Sequence, residues 1–238
     1  MRLLTLMDAA LLTTGIALIL NTQRLIKRQS LLNSKRNKIN RYNEMVELNK
    51  TADKNSCVFT GDSITHWYPM DELIRGVTVH NRGNAGYFTY ELLDTFDEIV
   101  LCLKPDKIFI LIGTNDMSIK SITPKDACDN TERMIEKIKK ALPETEIHLL
   151  SVYPVNVSKH QKVLKKICKM RHYYPEKIVR LNELYHQLTK KHHIRYVDLY
   201  NGLCDENGQL KIEYTIDGLH LSTEGYRHVT ECLKEYIL

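Results

Sequence analysis

No two cysteines of this chain fall in a C-x-x-C pair. The six, Cys57, Cys102, Cys128, Cys168, Cys204 and Cys232, are spread almost evenly over 238 residues, which argues against a zinc site built on paired thiolates. Cys57-Val58-Phe59 and Leu101-Cys102-Leu103 place two of them inside apolar runs, where a free thiol behaves as a small buried hydrophobe. Reduced cysteines in a reducing compartment are therefore expected. There is a single tryptophan, Trp67, and the tyrosines are scattered, so the chain has no array on which bases could stack. It also lacks a DNA- or RNA-recognition motif, and no nucleic-acid partner is expected. The formal net charge is +5, but six Lys and Arg residues crowd between Arg24 and Lys38, so the excess is local. Internal repeats and low-complexity segments are absent as well.

What is present divides into three parts: a hydrophobic helix over residues 1–22, a basic helical connector over 23–54 and one globular domain over 55–238. Leu3 to Leu20 is an apolar run interrupted by one charge, Asp8, close to the shortest length that spans a bilayer as a helix. Its Leu and Ile residues supply roughly −4.5 kcal/mol of insertion energy against about +3 for a centrally placed Asp, so a membrane anchor is the first reading. A helix lying on the membrane or packed on the domain comes second. A cleavable signal peptide comes last, since only Arg2 stands before the run and no A-x-A-like site follows it. After Leu20 the charged residues are basic, with no acid between Leu20 and Glu44, so the positive-inside rule puts the domain in the cytoplasm. An uncleaved export signal is the alternative and would place it outside. From Asn21 to Asn49 the chain is polar and basic, with Leu25, Ile26, Leu31, Leu32, Ile39 and Val46 at irregular helical intervals and no Gly or Pro.

From Cys57 onward, short β-rich runs alternate with helical stretches, the pattern of βαβ units around a parallel sheet. Strands are expected at Cys57–Thr60, Val77–His80, Lys107–Ile112, Glu146–Val152 and Ile194–Leu199. Helices are expected at Thr89–Leu103, Pro124–Leu142, Ile178–His192 and Thr223–Tyr236.

Four segments carry chemistry. Gly61-Asp62-Ser63 follows the first strand and opens a helical stretch, so the serine stands at the carboxyl end of the sheet with its N–H at a helix N-terminus, where a developing anion is stabilised. Alone the tripeptide reads as an ordinary turn and cap. It lacks the second glycine of a G-x-S-x-G elbow, because Ser63-Ile64-Thr65 follows. Asn81-Arg82-Gly83-Asn84-Ala85-Gly86 comes after the second strand, and its glycines permit a tight path that can aim an N–H at a ligand. Gly113-Thr114-Asn115-Asp116 comes after the third strand and brings an amide donor suited to an oxyanion. Asp217-Gly218-Leu219-His220 puts a carboxylate and an imidazole within one turn, close enough to fix the tautomer and leave Nε2 to take a serine proton. In a doubly wound sheet ligands bind beyond the carboxyl ends of the strands, and all four segments converge there. Nucleophile, base, orienting acid and oxyanion donors together meet the geometric list for acyl transfer without a metal or cofactor.

The ordered set G-D-S, N-R-G-x-x-G, G-T-N-D and D-G-L-H resembles the four sequence blocks of the SGNH (GDSL-type) hydrolases, over about Cys57 to Leu238. The resemblance implies a flavodoxin-like three-layer α/β/α fold and ester hydrolysis through a serine acyl-enzyme. It implies Ser63 as nucleophile, Asp217 as orienting acid and His220 as base, with an oxyanion hole from Ser63, Gly86 and Asn115. Gly83 is a near competitor of Gly86, which is preferred because it lies five residues after Asn81. The residues before about Lys54 inherit nothing from the resemblance.

The same residues would also serve an acyltransferase that discharges the acyl-enzyme onto an alcohol, and a carbohydrate- or lipid-binding module with a dead site is a third reading. A metal-dependent phosphoesterase is disfavoured for want of clustered His and Asp ligands. Asp62 and Asp116 could ligate a metal with His220, but serving turn backbone is the expected role of each. His192 and His193 lack ligand spacing and are expected to be solvated. Trp67, Tyr87 and Phe88 flank the nucleophile and oxyanion segments, where they line an acyl pocket or belong to the core. The partner is thus a small-molecule, lipid or sugar ester.

Overall fold

A computed structural model describes residues 2–54, 56–160 and 173–238, with side chains from residue 18 onward. The chain divides into two compact units, Met1–Arg41 and Tyr42–Leu238. One uninterrupted helix, α1 (Arg2–Asn49), joins the two segments that the sequence separates as hydrophobic helix and connector. Among the described residues no helix is long and apolar enough to cross a membrane, so the expected anchor gains no support. Most of the apolar run over 3–20 lies where side chains are not described. In the first unit the described part of the helix exposes Leu18, Leu25, Ile26, Leu31 and Leu32.

The second unit takes in the last turns of α1, where Met45 is fully buried, and is built on five parallel strands. These are β1 (Cys57–Gly61), β2 (Val79–Gly83), β3 (Lys107–Leu111), β4 (Glu146–Leu150) and β5 (Arg195–Val197), in the order β2-β1-β3-β4-β5. That order reverses direction between β1 and β3, whose carboxyl ends lie side by side in register at Gly61 and Leu111. The crevice at such a switch point is where open α/β sheets bind ligands.

Strand side chains alternate between the two faces, and the core divides accordingly. Val58, Ile108, Ile110 and Leu149 pack on one side with helices α3 (Thr89–Ile99), α4 (Pro124–Ala141) and α5 (Pro175–His192). Phe59, Phe109, Leu111 and Val197 pack on the other with the short α2 (Ser63–His66) and with α6 (Thr223–Ile237), which contributes Tyr226, Val229 and Leu233. The result is the expected three-layer α/β/α architecture. Strands β1 and β3 are almost continuously apolar because both faces are covered.

Helix ends follow local chemistry. The Thr123 hydroxyl accepts the N–H of Asp126, whose carboxylate in turn accepts the Thr123 N–H at 2.7 Å, and Pro124 sits at the first helical position of α4. Ser222 caps α6 by accepting the Gly225 N–H.

Strand β2 departs from expectation. It runs Val79–Gly83, not Val77–His80, so Asn81, Arg82 and Gly83 lie within the strand and only Asn84-Ala85-Gly86 form the loop. These polar residues are tolerated because β2 is an edge strand and their groups are engaged: Asn81 Nδ2 donates to the Thr65 carbonyl at 2.8 Å, and Arg82 Nε donates to Asn49 at 2.8 Å. Two smaller corrections concern cysteine and histidine. Cys57 is buried as expected, but Cys102 is exposed on a 3-10 turn, where its thiol donates to the Glu98 carbonyl. Cys168 lies outside the described residues. His192 is not solvated; its Nε2 is 2.7 Å from Glu132 Oε1.

Candidate active site

The turn out of β1 positions Ser63. Asp62 caps α2 by accepting the Ile64 N–H at 3.0 Å, and Ser63 becomes the first residue of that helix. Helix α2 is held against α6 by the Tyr226 hydroxyl, which donates to the Ile64 carbonyl at 2.8 Å, and by Tyr68 with Thr230 at 2.6 Å. The loop before α6 is thereby set opposite the serine.

That loop folds tightly upon itself. Thr215 Oγ1 donates to the His220 carbonyl and accepts the Gly218 N–H, both at 2.8 Å, while Asn156 donates its N–H to the Gly218 carbonyl. Asp217 Oδ1 accepts the backbone N–H groups of Leu219 and His220 at 2.9 and 2.8 Å. Its other oxygen lies 2.6 Å from His220 Nδ1, and His220 Nε2 lies 3.0 Å from Ser63 Oγ. A carboxylate accepting at Nδ1 fixes the tautomer in which Nε2 is an acceptor, so the hydroxyl donates to it. Burial alone would raise the Asp217 carboxyl, but the ring and backbone hydrogen bonds from His220 outweigh it and hold the group down at about 2. Asp217 is ionised at any ordinary pH.

The two glycines of the second block separate cleanly. Gly83 ends β2 against α2, so tightly that a Cβ there would fall 2.3 Å from the His66 nitrogen, and its N–H donates to Asn81 Oδ1 at 3.0 Å. Gly86 stands in the turn closed by the Tyr87 N–H on the Asn84 carbonyl, with φ of +83°, a conformation open to glycine. Among the described residues no acceptor engages the amides of Gly86 and Ser63. Asn115 is buried at the end of the turn after β3, and one hydrogen of its Nδ2 goes to the Tyr87 carbonyl at 3.0 Å, which fixes the amide. Ser63, Gly86 and Asn115 thus stand in the turns that follow β1, β2 and β3, and the Asp217–His220 loop meets the first of these at Ser63.

Two buried carboxyls flank the site. Asp62 is pushed up to about 6 by burial, against the opposing pull of the Ile64 N–H and of His220; its Oδ2 faces the Thr114 hydroxyl without a hydrogen bond of ordinary geometry. Asp116 is pushed up to about 6 by burial as well, although it accepts both the hydroxyl and the N–H of Thr89. Thr89 opens α3, so Asp116 serves that helix terminus in place of Phe88, whose side chain has no acceptor. Among the described residues neither carboxyl groups with other metal-ligand side chains. The one cluster of ligand-like spacing among those residues is Glu132, Glu136 and His192, on helices α4 and α5.

Two contacts were not legible in the sequence. His66 Nδ1 accepts the Ala85 N–H, and the indole of Trp67 lies on the imidazole of His220. Their spacing from Ser63, three and four residues along one helical turn, was the available signal. Tyr87 is core, and Phe88 stacks on Tyr90.

Comparison with known proteins follows the same lines. A family model described as GDSL-like lipase/acylhydrolase matches residues 59–228. A solved protein from Streptococcus pneumonia, described as a platelet activating factor, is 36% identical with a TM-score of 0.80, over 90% of this chain and 99% of that one. A GDSL-like lipase from Bacteroides thetaiotaomicron VPI-5482 is 26% identical with a TM-score of 0.71, over 82% and 96%. An N-acylneuraminate cytidylyltransferase from Escherichia coli O18:K1:H7 is 26% identical over 198 residues; the match takes 79% of this chain but only 41% of that relative's length. Since the family match spans most of the sheet and all four blocks, and the pneumococcal relative is matched almost end to end, the chain belongs to the GDSL-like lipase/acylhydrolase family.

Proposed function

We propose that the protein hydrolyses carboxylic esters, acyl or acetyl, through an acyl-enzyme on Ser63. The observation that carries this reading is the continuous hydrogen-bonded chain from Ser63 Oγ through His220 to Asp217. In the first half-reaction Ser63 Oγ attacks the ester carbonyl carbon as its proton passes to His220 Nε2. The carbonyl oxygen takes the negative charge and is held by the N–H groups of Ser63 and Gly86 and by Asn115 Nδ2. Collapse of the tetrahedral adduct breaks the bond to the alcohol oxygen, which leaves with the proton from His220. Water then repeats the sequence on the acyl-enzyme, giving the carboxylic acid and free Ser63. Asp217 stays ionised throughout and stabilises the imidazolium formed in each half.

The test is a fluorophosphonate probe followed by peptide mass spectrometry, with turnover of nitrophenyl esters of increasing acyl length. The adduct is expected on Ser63, and Ser63→Ala should neither label nor turn over. Labelling at another serine, or full activity in Ser63→Ala, would refute the assignment.

A further inference from the structure

The chain's single tryptophan is half exposed, yet its indole packs on the imidazole of His220, with centroids 4.4 Å apart and planes inclined by 55°. Helix geometry puts it there. Trp67 caps the C-terminus of α2 with its N–H donating to the Ser63 carbonyl at 3.0 Å, which places its side chain one turn beyond the serine on the same side. Ser63 and Asp217 engage the two nitrogens of that imidazole; Trp67 supplies a third contact of a different chemical kind.

We infer, on the strength of the proposed triad, that Trp67 is a positioning residue which holds the His220 ring and stabilises its charged form. When the serine proton reaches Nε2, the imidazolium lies within the roughly 6 Å range over which an aromatic ring attracts a cation. The neutral ring gains no such attraction, so the contact strengthens as proton transfer proceeds and lowers the barrier. Among the described residues, the titratable groups that act on His220 include Asp217 in its own loop and Asp62 in the turn before α2. Neither is altered by substitution at position 67.

The experiment compares the full chain with its Trp67→Leu, Trp67→Phe and His220→Ala forms, by the pH dependence of kcat/KM on a nitrophenyl ester and by intrinsic tryptophan fluorescence. Trp67→Leu is expected to lower kcat/KM about three- to thirtyfold with KM little changed. The acid limb should move to lower pH, and Trp67→Phe should restore most of both. Fluorescence should titrate together with activity in the unaltered chain and lose that transition in His220→Ala, which separates His220 from Asp62. A merely structural role would move the melting temperature and leave the acid limb in place. An unmoved limb in Trp67→Leu, or a fluorescence transition that survives in His220→Ala, overturns the inference. The fluorescence titration needs no turnover, so it stands apart from any failure of Ser63 to act as nucleophile.

Discussion

Ala85 donates its backbone N–H to Nδ1 of His66 across 3.1 Å, tying the residue before Gly86 to the last residue of the helix that Ser63 opens. Two donors of the proposed oxyanion hole, on separate strands' loops, are thereby fixed relative to each other. Small misplacements of such donors are costly, since catalysis depends on their aim at the developing charge. His66→Ala is expected to lower kcat by roughly 10- to 100-fold with KM little changed. Steady-state kinetics decide: an unchanged kcat would mean that the loop is held without His66.

Asn115→Ala should lose about 10²–10³ in kcat, the scale for one oxyanion donor, while the fold and KM persist. Gly86→Ala should lose activity and also stability, by about 1–2 kcal/mol, because φ of +83° is strained for a residue with a Cβ. A loss confined to KM in Asn115→Ala would make that residue a substrate contact.

Asp217→Asn should be close to inactive, because an amide there favours the wrong histidine tautomer. His220→Ala should be similarly crippled, because the serine proton then has no acceptor at Nε2. Asp217 itself adds no pH dependence near neutrality, since its carboxyl is held down at about 2. Undiminished turnover in His220→Ala would contradict the role of His220.

Stability should carry the imprint of the two buried carboxyls. Asp62 and Asp116 are raised from an ordinary value of 3.8 to about 6, so the native state binds their protons more tightly than the unfolded chain does. Their contribution is fully present below about pH 4 and is lost as pH rises through 6. Asp217 acts in the opposite sense: its contribution is present above about pH 4 and is lost as pH falls toward 2. Asp62→Asn keeps an oxygen for the Ile64 cap and removes the buried charge, so it should gain on the order of 2–3 kcal/mol at pH 8 and little at pH 4. Denaturant midpoints at the two pH values measure this; an equal effect at both would refute a charge-based cost.

The sequence declared most of this site because the chemistry sits at strand ends, where short motifs and long apolar runs meet. β1 and β3 announce themselves as unbroken apolar stretches covered on both faces. β2 does not: as an edge strand it carries Asn81 and Arg82 in its ladder, and residues that read as loop are paired with β1. Asp116 reads from the sequence as a turn residue, but its partner Thr89 is remote in sequence and belongs to another helix, a link no local pattern encodes. The exposure of Cys102 inside an apolar run has a similar origin, since a 3-10 turn rotates the thiol out between Leu101 and Leu103. Contacts such as Trp67 on His220 depend on how two segments meet and are absent from either alone.

The Ser63–His220 hydrogen bond spans 157 residues of chain. A polypeptide emerging from the ribosome carries Ser63, Gly86 and Asn115, the proposed nucleophile and oxyanion donors, while still lacking His220, which follows the last strand. The same holds in refolding, where long-range closure follows local helix formation. With the proposed triad, catalytic competence should therefore return late, and ester turnover should report docking of α6 after helical circular dichroism has recovered.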